Sequence, residues 1–278
     1  MRYIFAIIFI FSSAIIFAQE YIPIDTAILS CSYFYDFQED SLDRSSMRRE
    51  EMTLLIGNHS SLFLSTTQMY RDSIHRMFIN ESFDQNYLNK ITPLIEGTPA
   101  INPFCLYHIN NNYLADSIVF TVYLNKKHLI VKESNKINWK IETNTDTIIS
   151  GYKCVKSSAE LWGRKYTAWF TLDIPVSYGP YKFCGLPGLI IKILDSKKQH
   201  SFTLNEVKKI KVKQQRIYYL NEQYLEITAE DYVKSLQYYF ADLYNRVSSG
   251  GVTMFKDDER KARSLDRIRS RNNNIEKY

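Results

Sequence analysis

The chain has 278 residues and a formal net charge of +5, and 45% of its residues are hydrophobic and 23% are charged. These fractions are ordinary for globular proteins, and the presence of only 9 Gly and 7 Pro excludes a fibrous or low-complexity chain. The 21 Tyr and 16 Phe favour β-strands, because aromatic side chains pack well on a pleated surface. We therefore expect a β-rich globular protein.

The amino terminus, residues 1–18, is predicted to be a cleaved signal peptide. Arg2 precedes two short apolar runs, Ile4–Phe11 and Ala14–Ala18, and the small Ala18 ends them where polar sequence begins. An uncleaved anchor is the alternative, but the apolar stretch is shorter than the ~20 residues of a spanning helix. Cys31, the nearest cysteine, is too distant for a lipid-anchored terminus. We expect a periplasmic or outer-membrane-associated protein that is not integral to the membrane and does not bind nucleic acid.

The first half of the mature chain alternates strand, turn and helix signals. Ala27–Phe37 is predicted to be a strand, and Glu51–Ile56 and Ser61–Ser65 are predicted to form a hairpin. Arg71–Ile91 has apolar residues at a spacing closer to that of a helix, which predicts a short helical insertion. Thr92–Pro103 is rich in Pro and is predicted to be a loop.

The middle of the chain gives the clearest β pattern. Arg164–Ile174 alternates apolar and polar residues, which is typical of a half-buried antiparallel strand. Further strands are predicted over residues 119–124, 128–133, 137–142, 148–157, 189–194 and 201–207. Successive strands without intervening helices favour a meander over a βαβ fold. Near the end, Thr228 is predicted to cap a helix that stops at Gly250 and packs against the sheet.

Residues 19–255 are expected to form a single domain, because no repeat or linker interrupts the pattern. Residues 256–278 form a basic tail with eight Lys/Arg and five Asp/Glu. We interpret this tail as a solvated end, with contact to acidic lipid headgroups as the alternative.

The four cysteines of the mature chain are Cys31, Cys105, Cys154 and Cys184, and their spacing matches no zinc or haem pattern. In an oxidising compartment pairing is expected, and Cys154 with Cys184 is the preferred bridge. Free buried thiols are the alternative.

No local motif for catalysis, a metal or a cofactor is present. The five His are scattered, and the chain contains no H-E-x-x-H, no G-x-S-x-G and no phosphate-binding Gly loop. We therefore predict no cofactor and no metal, and we assign no catalytic residue. A catalytic site assembled from distant residues is left open. Its candidates lie at or near predicted strand ends and are Glu142, Asp173, Asp195 and His200.

The segment 180–190 stands apart from the rest of the chain. Gly185 and Gly188 bracket Leu186-Pro187, so the backbone can take positive φ on either side of a rigid Pro. We interpret the segment as a tight, buried turn between strands. The functional alternative is a loop that lines a binding cleft, with Phe183, Gly185, Leu186, Pro187 and Gly188 as the binding residues.

The run from Gly185 to Ile190 resembles the motif that names the GLPGLI family, exported envelope proteins of Bacteroidota without an established activity. Further similar blocks are Met52–Gly57 with Ser61 and Phe63, Trp139–Glu142, Ile149–Cys154, Gly163–Pro175 and Gly179–Pro180. Asn272–Glu276 is similar to the family's Asn-Asn-Pro-Ile-Glu ending, with Asn274 where Pro is commoner. The resemblance covers most of the mature chain and implies an exported β-rich protein, but it supplies no catalytic residues.

The strand succession also resembles the curved antiparallel half barrel of periplasmic lipoprotein carriers, which implies a sheet face that could bind an acyl chain or an apolar peptide. Our leading hypothesis is a non-enzymatic exported protein that binds an apolar ligand, lipid or peptide, or assists an outer-membrane transport or envelope system. The alternatives are a hydrolase of envelope peptides or glycans and a structural protein-interaction module. A polar pocket that unites two of the four candidate residues would favour the hydrolase, and an exposed apolar patch without a cavity would favour the module.

Overall fold

The computed structural model describes residues 20–77, 85–96, 105–112, 115–142, 147–210, 215–249, 258–269 and 271–277, so the predicted signal peptide lies outside the described residues. The strands are β1 Glu20–Thr26, β2 Leu29–Gln38, β3 Met47–Ile56, β4 Ser61–Ser65, β5 Tyr107–Asn112, β6 Ser117–Leu124, β7 Lys127–Glu133, β8 Lys140–Ile141, β9 Thr147–Ile149, β10 Tyr152–Leu161, β11 Arg164–Thr171, β12 Leu189–Asp195, β13 His200–Lys209, β14 Arg216–Asn221 and β15 Tyr224–Glu226. The helices are α1 Thr66–Met77, α2 Gln85–Glu96, α3 Ala229–Ser248 and α4 Asp258–Arg269, with a 3-10 turn at Arg44–Ser46.

Thirteen strands form one large, curved, open sheet in the order β15-β7-β6-β5-β4-β3-β2-β13-β12-β11-β10-β8, with β9 also paired to β10. Pairing is antiparallel throughout except between β15 and β7, which are parallel. Strands β1 and β14 form a separate two-stranded sheet. The predicted class, a mainly β protein built on a curved antiparallel sheet, is confirmed.

Local sequence pattern accounts for the hairpins in this sheet. In β11, Tyr166, Ala168 and Phe170 are buried, as their alternation predicts. The predicted hairpin of β3 and β4 forms, with Met52 opposite Ser65. The two halves of the sheet are joined by β2 and β13, where Tyr33 lies opposite Leu204. This long-range pairing joins the two halves into one continuous sheet.

Helix α3 lies against the sheet on the side of β6. The Thr228 side chain accepts a hydrogen bond from the Asp231 N–H at 3.0 Å, so the predicted cap forms. The Tyr232 ring packs on Phe120 at a centroid distance of 4.9 Å, and Val233 is buried. The prediction of a carboxyl-terminal helix packed on the sheet is therefore confirmed.

The carboxyl-terminal residues 271–277 are part of the folded core, which corrects the interpretation of residues 256–278 as a solvated tail. Asn273 and Glu276 are buried. The Asn273 side chain donates to the Gln38 carbonyl at 2.8 Å, and the Lys277 N–H donates to the Trp162 carbonyl at 2.8 Å. The charge count does not reveal this burial, because the two buried residues are the neutral Asn273 and Glu276, whose carboxylate contacts the Lys182 ammonium at 2.6 Å.

Several predicted element boundaries are wrong, among them the following three. Helix α2 continues through Pro93 to Glu96, although a proline inside a helix removes one backbone hydrogen bond and crowds the carbonyl four residues before it. Strand β11 ends at Thr171, where its ladder with β12 ends, so Leu172 is 59% exposed. The predicted strand over 148–157 is divided by a turn at Ser150, which takes positive φ.

Strands β1, β5, β14 and β15 lack a sequence prediction. In β5 the run of Asn is unfavourable for a strand in isolation. Tertiary hydrogen bonds compensate, since Asn110 donates to the Tyr218 carbonyl at 3.1 Å and Asn135 donates to the Asn111 side chain at 3.1 Å.

Candidate ligand-binding cavity

A cavity of about 570 Å³ lies between the sheet, α3 and the carboxyl-terminal segment. Its volume is within the range typical of small-molecule sites. The apolar part of its lining comes from β2, β6 and α3 and includes Phe37, Phe120, Val122, Tyr232, Leu236 and Phe240. The cavity thus has a largely aromatic wall assembled from segments that are distant in sequence.

Five charged side chains line the cavity: Glu39, Lys126, Arg246, Arg271 and Glu276. Both acidic groups have basic partners. Glu39 contacts Arg48 at 2.8 Å and Arg271 at 3.4 Å, and Glu276 contacts the Lys182 ammonium at 2.6 Å. The Arg246 guanidinium contacts the Asp242 carboxylate at 2.9 Å, so at least four of the five charged side chains are in ion pairs.

His200, a predicted candidate, lines this cavity and is 2% exposed. Its Nδ1 atom lies 2.8 Å from the Tyr35 hydroxyl, and its buried Nε2 atom has no hydrogen-bond partner in the part of the chain that the structure describes. Burial lowers the pKa of His200 well below its usual value; the positive charges of Arg164 and Lys277 lower it further, and the Asn273 carbonyl has a smaller opposing effect. The ring is therefore neutral at physiological pH.

Asp195, the second predicted candidate at this sheet end, has a structural role. One carboxylate oxygen accepts from the backbone N–H groups of Gln199 at 2.7 Å and His200 at 2.8 Å. The other oxygen contacts the Arg164 guanidinium at 3.0 Å. Asp195 thus contacts His200 through the backbone N–H group of His200. Asp195 itself does not line the cavity.

The Arg164 guanidinium ties β11 to the carboxyl-terminal segment. It donates to the Asn273 side chain at 2.8 Å and to the carbonyls of Asn274 at 2.7 Å and Ile275 at 3.0 Å. With Asp195 beside it, this buried arginine holds in place the segment that forms one wall of the cavity.

A buried lysine, Lys182, holds the carboxyl-terminal wall of the cavity in place as well. It belongs to residues 180–190, which we call the motif segment. Its side chain is 2% exposed and contacts Glu133 and Glu276. Its ammonium lies 5.1 Å from the centre of the Phe120 ring. The Tyr181 hydroxyl donates to the same Glu276 carboxylate at 2.7 Å.

Within residues 180–190, Tyr181 lines the cavity, whereas the five predicted binding residues are absent from the lining. Phe183 and Leu186 are buried, and Gly185 and Pro187 are exposed. Gly185 takes the predicted positive φ of +89°, but Gly188 does not. A Cβ atom on Gly188 would lie 1.9 Å from the Thr171 carbonyl oxygen, so close backbone approach is what requires glycine there.

The cysteines correct the predicted pairing. All four are buried and free, and the Cys154–Cys184 disulfide is not formed. The two thiols have separate partners, because Cys154 donates to the Tyr152 carbonyl at 3.4 Å and Cys184 donates to the Asn135 carbonyl at 3.2 Å. Burial raises the pKa of Cys184 to about 11 and that of Cys105, which lines the cavity, well above its usual value.

The remaining predicted candidates lie apart from the cavity. Glu142 forms an ion pair with Lys156 at 3.0 Å, and Asp173 is exposed. Among the described residues no group of three or more His, Cys, Asp or Glu is placed to hold a metal ion. Sequence reasoning identified His200 by its position at a strand end but missed the aromatic wall, which has no local motif.

The comparisons with known proteins give a family match over a short part of the chain. A family described as "Protein of unknown function (Porph_ging)" matches residues 160–192, which contain β11 and the motif segment. No curated protein sequence matches the chain. No helix among the described residues has both the length and the apolarity needed to cross a membrane.

Two solved structures of PNGF-II, in different crystal forms, are similar to this chain. Their TM-scores are 0.46 and 0.47, their sequence identities are 16% and 15%, and the alignments cover 76% and 74% of this chain. The chain spans about one third of the length of PNGF-II, since 33% and 32% of those chains are covered.

Proposed function

We propose that the chain is an exported, non-enzymatic protein that binds an apolar ligand, lipid or peptide in the cavity between the sheet and α3. The cavity of about 570 Å³ with its aromatic wall is the observation that supports this proposal. The layout of residues 1–18 supports export, as does the resemblance to the GLPGLI family. The motif segment 180–190 supports the cavity by positioning Tyr181 and Lys182, and assistance to an outer-membrane transport or envelope system would follow from carrying such a ligand.

The hydrolase alternative has less support. His200 lines the cavity, but the Asp195 carboxylate already accepts hydrogen bonds from the Arg164 guanidinium and from backbone N–H groups. The nearest thiol, that of Cys105, has a pKa raised by burial, which disfavours the reactive thiolate. The interaction-module alternative lacks its expected signature, an exposed apolar patch without a cavity, because a cavity of about 570 Å³ is present.

The test begins with the mature protein purified from its native envelope under gentle conditions. Native mass spectrometry should detect a bound apolar molecule, and the mass of the chain should report an amino terminus at Gln19. An unprocessed chain would contradict export, whereas an empty chain would weaken ligand binding.

A matched pair of variants then locates the ligand. Leu236→Trp adds a bulky ring inside the cavity, whereas Tyr238→Trp changes a residue of the same helix that is 76% exposed. We expect Leu236→Trp to lose the bound molecule and Tyr238→Trp to retain it. Equal retention by both variants, with unchanged circular dichroism, would place the ligand elsewhere.

A further inference from the structure

A second cavity, of about 780 Å³, lies between α1 and the two-stranded sheet of β1 and β14. Its volume is also typical of small-molecule sites, and no described residue lines both cavities. Its apolar lining includes Leu55, Met69 and Ile210. Its charged lining consists of Arg76 and Arg216, and no Asp or Glu among the described residues lines it. The second cavity therefore combines an apolar surface with positive charge.

Aromatic rings hold the Arg76 guanidinium in place. Its central carbon lies 4.9 Å from the centre of the Tyr21 ring and 4.7 Å from the centre of the Tyr218 ring. The Tyr218 ring is itself fixed, because it is 4% exposed and its hydroxyl donates to the Asp72 carboxylate at 2.8 Å. A guanidinium over a ring face is attracted through its charge and keeps its N–H donors for other partners.

The acidic residue one helical turn before Arg76 does not pair with it. One oxygen of the Asp72 carboxylate accepts from the Tyr218 hydroxyl and contacts the His108 Nε2 atom at 3.0 Å. The Gln68 side chain donates to the other oxygen at 2.6 Å. Within the part of the chain that the structure describes, the Arg76 side chain has no ion pair and no hydrogen bond, and none of its nitrogen atoms is fully buried. A ligand in the cavity can therefore reach these donors.

The charges of this region favour an anion. Even when the Asp72 carboxylate is counted, the guanidinium groups of Arg76 and Arg216 leave an excess of one positive charge. The planar fork of a guanidinium matches the paired oxygens of a carboxylate or a phosphate. The uncharged polar residues of the lining are Thr66, Tyr70, Ser73 and Gln215.

We propose that the second cavity binds a small organic anion, a carboxylate or phosphate on an apolar body. Arg76 donates to two oxygens of the anionic group, and Arg216 contributes further positive charge. The apolar body contacts Leu55 and Met69. This site goes beyond the function proposed above, and the two ligands should bind independently, because the cavities share no lining residue.

The experiment compares three probes built on the same ring, by NMR titration of the full mature chain. Benzoate carries a carboxylate, phenyl phosphate carries a phosphate, and benzamide is a neutral molecule with nearly the shape of benzoate. We expect at least one anion to bind at least about tenfold more tightly than benzamide, which corresponds to one charge-assisted hydrogen bond. Added salt should weaken the binding of the anion and leave benzamide unchanged. The ranking of the two anions identifies the preferred group.

Two variants of α1 test the assignment of Arg76. Arg76→Gln removes the guanidinium and should reduce the affinity for the preferred anion about tenfold while leaving benzamide unchanged. Arg71→Gln is the matched control, because it removes the same charge from the same helix at a residue outside the cavity lining. It should change the affinity by no more than about twofold. Circular dichroism checks both folds, and the wild-type ranking with its salt dependence decides if Arg76→Gln does not fold.

The outcomes separate this inference from the proposed function. Equal affinity of the wild type for the anions and benzamide, or equal loss of anion binding in Arg76→Gln and Arg71→Gln, would overturn the anion site. Loss of anion binding in Leu236→Trp would place the anion in the first cavity and would also overturn it. None of these results bears on an apolar ligand detected by native mass spectrometry, and the absence of such a ligand would leave the anion site in place.

Discussion

Lys182→Met should be among the most destabilising single substitutions in this protein. The Lys182 side chain is 2% exposed, and its ammonium contacts Glu276, whose side chain is 3% exposed, at 2.6 Å. When the lysine is removed, the Glu276 carboxylate keeps its hydrogen bond from the Tyr181 hydroxyl but loses the positive charge of the Lys182 ammonium. Breaking a buried ion pair on one side costs about 3–5 kcal/mol, because the remaining charge stays desolvated. That is a large part of the 5–15 kcal/mol that holds a typical domain together.

The matched control is Lys132→Met. Lys132 pairs with Glu226 at 2.6 Å, but the two side chains are 53% and 59% exposed. Water screens such a pair, so its loss should leave the free energy of unfolding close to that of the wild type. Urea denaturation followed by tryptophan fluorescence gives the free energy of unfolding for both variants and the wild type.

A third variant tests the cause of the effect. Replacing both partners, as in Lys182→Met with Glu276→Gln, removes the unbalanced charge and should recover part of the stability lost in Lys182→Met alone. A free energy of unfolding for Lys182→Met within about 1 kcal/mol of the wild type would refute the reasoning. It would mean that the carboxyl-terminal segment is not held in the core by this pair.

Three further predictions concern the motif segment, the thiols and the cavity histidine. Gly188→Ala should lower the midpoint of thermal unfolding more than Gly185→Ala, because its Cβ would lie 1.9 Å from a carbonyl oxygen whereas the new methyl at Gly185 meets only positive-φ strain. Burial raises the pKa of the Cys31 thiol to about 12 and that of the Cys184 thiol to about 11. Both thiols should therefore resist a thiol reagent in the native protein and react in urea. Fast labelling of the native protein would contradict their burial. The pKa of His200 is lower in the folded protein than in the unfolded chain. At pH below about 6.5 the unfolded chain therefore binds a proton that the native protein excludes. As the pH is lowered, the free energy of unfolding should fall by up to about 1.4 kcal/mol per pH unit. His200→Phe should flatten that slope, and an unchanged slope would contradict the assignment.

Elements with strong local signals are predictable from this sequence. The alternation in β11 and the cap at Thr228 each depend on a few adjacent residues, and both predictions are confirmed. The hairpin of β3 and β4 is likewise local. These signals fix the β class and the carboxyl-terminal helix.

The long-range pairings are not predictable in this way. Strand β2 pairs with β13, so that Cys31 lies opposite Val207, and β15 adds in parallel to β7. Such pairings satisfy backbone hydrogen bonds that any strand offers, and side-chain pattern alone does not specify the partner. The cavity depends on these pairings, because they bring Tyr35 and Phe120 to the same face as α3.

The carboxyl terminus shows why a charge count misleads. Charged residues are almost never fully buried unless they are paired, so Lys182 and Glu276 each predict exposure when read alone. They are buried because they meet, although 94 positions separate them, and the Tyr181 hydroxyl adds a further hydrogen bond to the same carboxylate. The two segments that resemble the family motifs, 180–190 and 272–276, therefore form one structural unit at the wall of the cavity. A change in either segment should alter the fold of the other, and through it the shape of the site.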